Sequence, residues 1–553
     1  MPPPAEPAEP AVSAARVSTG VDGLDAVLHG GLIRGSIGLV TGQPGAGKTI
    51  LANQACARHV AAGGRAVFVT LLTETHGRML ANLQGLSFFE PAAVGERLFY
   101  VSAHTELAQQ GLEGLLRLLR QVVRERQATL LVVDGMVNAE PFAASQGSLK
   151  RFIQDLQTWV GVVGCTVLLL DSGGGEGEVQ PEHTMVDAIV LLRGKLVGQR
   201  WVRELLVTKF RGSGFLEGAH AYAITGRGVQ VSPRTEALLG SVDEPSEGLD
   251  VPPPGRLESG VPGLDAVLGG GLVRGSNTLV LGSSGAGKTI LALHFLEAGL
   301  RAGERGLYFG FFESPTALLQ KAARLGLPLA EHVREGRLQL LWQLPVERRM
   351  DALAARLLEA VERHGARRLV VDGLAGFATA ALDTERVGGL FAVVNEHHSR
   401  RGVTSLLTEE ARELFVQSIE APVQGVSAIA ENILFLRHVE EEAALHRLLA
   451  VMKTRDSSHD PALYAYALTD RGMEVRAPFR PDRNVFTGVS KPAPGGGHAG
   501  GPPRARAQEG HPPEAPAPEG ALSGARKALT RAKKALAGAK KAPAPKGPSG
   551  RRR

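Results

Sequence analysis

The sequence predicts an α/β protein built as two tandem domains, each a mostly parallel sheet flanked by helices, with a basic tail behind them. Three observations carry this expectation. A segment near the N-terminus returns 240 residues later, short apolar runs alternate with longer amphipathic ones inside each copy, and the composition changes from about Phe479 onward.

The repeat comes first in the chain. Ser18-Thr-Gly-Val-Asp-Gly-Leu-Asp-Ala-Val-Leu-His-Gly-Gly-Leu-Ile-Arg-Gly-Ser36 is matched by Glu258-Ser-Gly-Val-Pro-Gly-Leu-Asp-Ala-Val-Leu-Gly-Gly-Gly-Leu-Val-Arg-Gly-Ser276. Gly20 maps onto Gly260, Gly42 onto Gly282 and Lys48 onto Lys288. A repeat of this length is a duplicated domain rather than a solenoid unit. In the first copy the strand-like runs are Ile37–Thr41, Ala66–Thr70, Leu98–Val101, Leu130–Asp134 and Thr166–Leu170. Helical patterns at Leu107–Arg126 and Ser148–Val163 lie between them, the alternation of a parallel sheet. Asp187–Leu192, Arg203–Phe210 and Ala221–Thr225 follow as strand-like runs and suggest an antiparallel extension. The domains are expected at 16–233 and 256–478. The Pro-bearing segment 234–255 reads as the linker, and 1–15 and 479–553 read as unstructured.

Composition narrows the function. Hydrophobic residues make up 43% and charged residues 21%, the profile of a soluble globular chain. The two cysteines, Cys56 and Cys165, stand far apart without metal-ligand spacing, which argues against a disulfide framework and a zinc cluster. The start of the chain has no apolar stretch like that of a signal peptide, and no uncharged run is long enough to span a bilayer, so a cytoplasmic location is expected. From Phe479 to Arg553 there are 16 Lys/Arg against 4 Asp/Glu. That excess is larger than the net +6 of the whole chain, so the body in front of the tail is mildly acidic.

Gly42-Gln-Pro-Gly45-Ala46-Gly47-Lys48-Thr49 and Gly282-Ser283-Ser284-Gly285-Ala286-Gly287-Lys288-Thr289 both fit the phosphate-loop pattern G-x-x-x-x-G-K-[ST]. Glycines let such a loop curl its amide groups toward an anion, and the following helix adds the positive end of its dipole. Lys48 and Lys288 are placed to reach the β- and γ-phosphates of a triphosphate, and the Thr49 and Thr289 hydroxyls to ligate Mg2+. Leu130-Leu-Val-Val-Asp134 and Leu369-Val-Val-Asp372 each end a buried strand in an aspartate, which suits a carboxylate that holds the same metal.

The Leu-Asp-x-x-Leu-x-Gly-Gly-Leu-x-x-Gly-Ser motif ahead of each loop resembles the KaiC family and its RadA/RecA relatives, over roughly residues 16–230 and 256–476. The resemblance implies RecA-like P-loop NTPase cores, ATP with Mg2+ at subunit interfaces and a homo-hexameric ring. It also implies that Lys209-Phe-Arg211 and Lys453-Thr-Arg455 reach the γ-phosphate held by a neighbouring subunit, as arginine fingers do. The family's paired glutamates after the second strand correspond to Thr73 and Glu74 in the first copy and to Phe312 and Glu313 in the second. One carboxylate per site is left to orient the attacking water. The phosphorylated Ser-Thr pair of KaiC corresponds to Ser427 and Ala428, so only the serine could accept a phosphoryl group.

The expected function is therefore an ATP-binding, Mg-dependent ring ATPase in signalling, with residual serine/threonine autokinase activity and a protein partner that the sequence does not identify. Two other classes compete. A nucleotide-sensing scaffold with little turnover follows from Thr73 and Phe312. A DNA-associated RecA-like ATPase follows from the cationic tail, which attracts phosphate backbones but has few aromatic residues for base stacking. Nucleic acid is the less favoured partner, and no membrane role is expected.

Overall fold

The computed structural model of the 553-residue chain describes residues 15–71, 76–143, 145–172, 184–240, 255–344, 349–411, 430–441, 444–455 and 459–479. The expected N-terminal arm, most of the linker, the positions of Thr73, Glu74, Ser427 and Ala428, and the basic tail beyond 479 lie outside the described residues. Both repeats fall within one compact unit.

Each repeat is an α/β domain around a nine-stranded sheet, with a two-stranded ribbon at its start. In the first, β1 (Arg16–Val17) pairs with β2 (Leu32–Ile33) ahead of the main sheet. That sheet comprises β3 (Ile37–Gly42), β4 (Ala66–Thr70), β5 (Leu98–Ser102), β6 (Leu130–Asp134), β7 (Thr166–Asp171), β8 (Ala188–Val197), β9 (Arg200–Phe210), β10 (His220–Thr225) and β11 (Gly228–Ser232). Its order is β11-β10-β9-β8-β3-β7-β6-β4-β5, parallel from β8 to β5 and antiparallel from β8 outward to β11.

The second domain repeats the plan. β12 (Arg256–Leu257) and β13 (Leu272–Val273) form the ribbon. The sheet holds β14 (Asn277–Gly282), β15 (Gly306–Gly310), β16 (Leu338–Trp342), β17 (Arg368–Asp372), β18 (Thr404–Glu410), β19 (Asn432–Glu441), β20 (Ala444–Thr454), β21 (Tyr464–Thr469) and β22 (Gly472–Pro478). Their order is β16-β15-β17-β18-β14-β19-β20-β21-β22.

The central strands are mostly apolar because both of their faces are covered. Every residue of Leu130–Asp134 is buried. Alternation divides them: Val40, Phe68 and Val132 pack into one core, and Leu39, Val67 and Val133 into the core on the opposite face. The helix Lys48–Ala61 covers the first face through Leu51 and Ala55, and Gln146–Val163 covers the second through Ile153 and Leu156.

The sequence expectation needs two refinements. The run at Asp187–Leu192 is not part of the antiparallel extension alone, because β8 lies parallel to β3 and antiparallel to β9. The segment assigned as a linker opens with a helix, Thr235–Gly240. That helix is anchored on the second domain: the Thr235 amide donates to Asp351 Oδ1 at 3.0 Å, and Arg386 bridges Glu236 at 2.7 Å and Asp351 at 3.0 Å. Among the described residues no helix is long and apolar enough to cross a membrane.

The repeated Leu-Asp motif has a structural task. The Asp25 carboxylate accepts from the Thr19 amide at 2.8 Å and the Ser18 hydroxyl at 2.6 Å, and Asp265 accepts from the Ser259 amide at 2.9 Å. The aspartate thus folds the incoming chain back on itself before the first central strand.

Candidate functional site

Both glycine-rich loops leave the C-terminal end of a central parallel strand, β3 or β14, and run directly into a helix. Open parallel sheets bind ligands at this edge. The turn into the helix passes through Gly47 at φ 99° and Gly287 at φ 95°, left-handed backbone that a side chain would strain. A Cβ at Gly47 would also lie 2.7 Å from Ile224 Cδ1.

The antiparallel extension supports the loops from behind. The Tyr222 hydroxyl donates to the Ala46 carbonyl at 2.7 Å, and the Tyr466 hydroxyl donates to the Ala286 carbonyl at 2.6 Å. These two tyrosines were invisible to motif reasoning, since they follow their loops by more than 170 residues and carry no local signature.

Lys48 lies against its own loop, with Nζ donating to the Gly42 carbonyl at 2.5 Å and the Gln43 carbonyl at 3.2 Å. Lys288 does the same toward Gly282 at 2.8 Å and Ser283 at 2.9 Å. Burial pushes both amines below the ordinary lysine value. Nearby carboxylates oppose that shift: Asp134 and Asp171 for Lys48, Glu410 and Asp372 for Lys288.

The helix then turns its first hydroxyl toward the strand-end carboxylate. Thr49 Oγ1 donates to Asp134 Oδ2 at 2.9 Å, and Thr289 Oγ1 donates to Asp372 Oδ2 at 3.0 Å. This arrangement fits Mg2+. A hydroxyl that donates its proton to a carboxylate keeps its lone pairs for a cation, and hard oxygen donors suit that ion. Among the described residues no group of three or more His, Cys, Asp or Glu could hold a metal by itself. One hydroxyl and one carboxylate instead match an ion that takes its remaining ligands from water and phosphate.

The surroundings differ between the copies. In the first, Thr49 and Asp134 border a cavity of about 340 Å3 whose wall includes His76 and Met79, and His76 Nε2 lies 3.0 Å from Thr70 Oγ1. In the second, Asp372 also accepts from the Tyr308 and Thr408 hydroxyls, each at 2.5 Å. Phe312 is 68% exposed, with its ring against Gly373, and Glu313 forms an ion pair with Lys321.

Lys209 and Lys453 do not meet the loop of their own domain. Lys209 pairs in register with Ile189 near the start of β8, and Lys453 with Ile433 near the start of β19. Arg211 and Arg455 lie one step further from the loops, their amides donating to the Asp187 and Glu431 carbonyls at 2.8 and 3.0 Å. All four residues therefore sit toward the sheet edge opposite the P-loops. Lys209 Nζ and Arg211 Nη2 both donate to the Thr184 carbonyl there, at 3.0 and 3.2 Å. Both cysteines are buried, and desolvation pushes each thiol up to about 12, which removes them as nucleophiles.

A central parallel sheet, a loop of this pattern at its ligand-binding edge and a hydroxyl–carboxylate pair beside it define a P-loop nucleotide-binding ATPase domain, present twice. A family model described as "ATPase: KaiC" matches residues 17–236 and again 257–479. The chain belongs to the KaiC family. It is 27% identical over 490 residues to the circadian clock oscillator protein KaiC of Picosynechococcus sp., an alignment covering 86% of this chain and 92% of the relative. The proteins of the same name from Prochlorococcus marinus and Synechococcus elongatus are 26% and 25% identical, covering 86% of this chain in each case and 95% and 91% of the relatives.

Proposed function

We propose that the chain binds ATP with Mg2+ at both P-loops, hydrolyses it, and assembles with copies of itself so that each site is completed by a neighbour. One observation carries this reading: both copies bring a P-loop lysine, the following threonine and a strand-end aspartate to one point, with hydroxyl–carboxylate distances of 2.9 and 3.0 Å.

Gly42–Thr49 and Gly282–Thr289 would hold the phosphates through backbone amides, with Lys48 and Lys288 turning from their loop carbonyls onto the β/γ oxygens. Thr49 with Asp134, and Thr289 with Asp372, would hold Mg2+, which supplies charge neutralisation on the phosphates. Glu74 and Glu313 would orient the attacking water. Lys209, Arg211, Lys453 and Arg455 lie at the wrong sheet edge for their own loops, which supports delivery to the γ-phosphate of the next subunit in a ring. Ser427 would be the acceptor in any autokinase reaction.

A second reading has its own support. With Phe312 at a glutamate position and Glu313 paired to Lys321, the second domain could hold nucleotide with little turnover and act as a sensor. Equilibrium binding of labelled ATP tests the main proposal. Two nucleotides per chain should fall to one in Lys48→Ala and in Lys288→Ala, and to none in the double variant, with particle mass dropping alongside. Retention of two nucleotides by the double variant would end the proposal. Single-turnover hydrolysis in Lys48→Ala, where only the second site is loaded, separates catalyst from sensor.

A further inference from the structure

The strand pairing places Tyr308 beside Val370 and Phe68 beside Val132, so the two aromatic residues hold the same register two residues before the strand-end aspartate. Thr408 and Leu170 likewise share one register, each directly paired with the aspartate. Two hydroxyls therefore stand in the second domain where the first has hydrocarbon.

The Tyr308 hydroxyl is not needed for packing. Tyr308 is 2% exposed inside an apolar cluster that a phenylalanine would fill equally well, as Phe68 does in the other half. A buried tyrosine hydroxyl needs a partner, and this one is directed at Asp372 Oδ2 at 2.5 Å, the same oxygen that accepts from Thr289. Thr408, 1% exposed, donates to the other oxygen, Oδ1, at 2.5 Å. Its own oxygen accepts from the Gly373 amide at 2.9 Å, which fixes the direction of its proton. Both carboxylate oxygens are thus held from the sheet side by donors on rigid strands.

We propose that Tyr308 and Thr408 are positioning residues of the second nucleotide site: their hydroxyls fix the Asp372 carboxylate, and through it the Thr289 hydroxyl, in the orientation that receives a hydrated divalent cation. The inference rests on the reading that Thr289 and Asp372 hold Mg2+ with nucleotide. Outer partners of this kind orient ligands and tune metal affinity, and removing one typically costs about 10- to 100-fold in that affinity. The first domain carries Phe68 and Leu170 in these registers, so these two donors are particular to the second site.

The test uses the full chain carrying Lys48→Ala, so that binding of a fluorescent ATP analogue reports the second domain. The Mg2+ concentration for half-maximal binding is read for this parent and with Tyr308→Phe or Thr408→Val added; Thr408→Ser serves as the conservative control. The expected result is a rise of about tenfold in that midpoint for each isosteric variant. Analogue affinity in excess chelator should be unchanged, and Thr408→Ser should stay close to the parent. An unmoved midpoint in both folded variants overturns the proposal, as does equal weakening with and without Mg2+, the mark of a packing role alone. A parent that binds nucleotide without regard to Mg2+ removes the underlying metal assignment instead, and the proposal with it.

Discussion

The first domain borders its threonine–aspartate pair with a cavity walled partly by His76 and Met79, whereas the second sets the hydroxyls of Tyr308 and Thr408 against its aspartate. On the opposite sheet face of the second domain Phe309 stacks on Phe377 at 5.9 Å and Phe311 meets Phe377 edge-on at 5.3 Å, while Phe312 lies against Gly373 beside the aspartate. The loops themselves match in register and in hydrogen bonding, yet the polar groups around each aspartate differ. A duplicated scaffold has kept its means of gripping phosphate and changed the setting in which a metal and a water would work. Loop geometry depends on backbone conformation, which the glycines fix, while the setting depends on side chains delivered by separate strands.

The largest effect expected from breaking this comparison comes from the loop lysines. Lys48→Ala or Lys288→Ala removes charge-assisted contacts to phosphate and should lower nucleotide affinity about 100-fold in its own domain only. Calorimetric titration of each variant measures it, and a change at both sites would mean that the domains do not bind independently.

Next is the junction. Arg386 lies between Glu236 of the connecting helix and Asp351, which is 3% exposed. Arg386→Ala leaves a buried carboxylate without its cation and should cost about 3 kcal/mol in the second domain's resistance to urea. Unaltered unfolding would show that the connecting helix does not couple to the domain it touches.

Acid should distinguish the halves more gently. His398 is buried in the second domain, and desolvation, reinforced by His397 and Arg401, pushes its pKa down to about 3. Unfolded, it takes up a proton near pH 6.5, whereas the folded chain refuses one until far lower pH. The unfolded state then binds more protons, so this contribution to stability falls as pH drops from about 6.5 toward 3, by up to ~1.4 kcal/mol per pH unit. Denaturation midpoints of the parent and His398→Leu, measured from pH 7 to 4.5, should separate with that slope.

The smallest effect concerns Glu313. Lys321→Ala releases it from its ion pair and should raise single-turnover hydrolysis in the second domain by roughly threefold, in keeping with the modest strength of partly exposed pairs. No change, or a decrease, would favour a structural role for the pair.

Much of this protein could be read along the chain, because the relevant physics is local. The glycine pattern fixes the loops, and the apolar runs place strands such as Leu130–Asp134 to the residue. The 240-residue echo gives the duplication. Other features depended on distant segments meeting. Tyr222 and Tyr466 support their loops across more than 170 residues, and Tyr308 looks like one more apolar strand residue until β15 is laid against β17. The antiparallel extension was visible, but β8's parallel partnership with β3 was not, since a short apolar run does not reveal its neighbour.

By itself, then, the sequence determined the two domains, their shared loop and the residues that end the central strands, since each follows from backbone preference or from periodicity within a few residues. Tertiary structure alone decided which side chains surround each aspartate and on which sheet edge Lys209 and Lys453 stand. Those facts are set by strand order and register, which join residues too far apart for any local pattern to link.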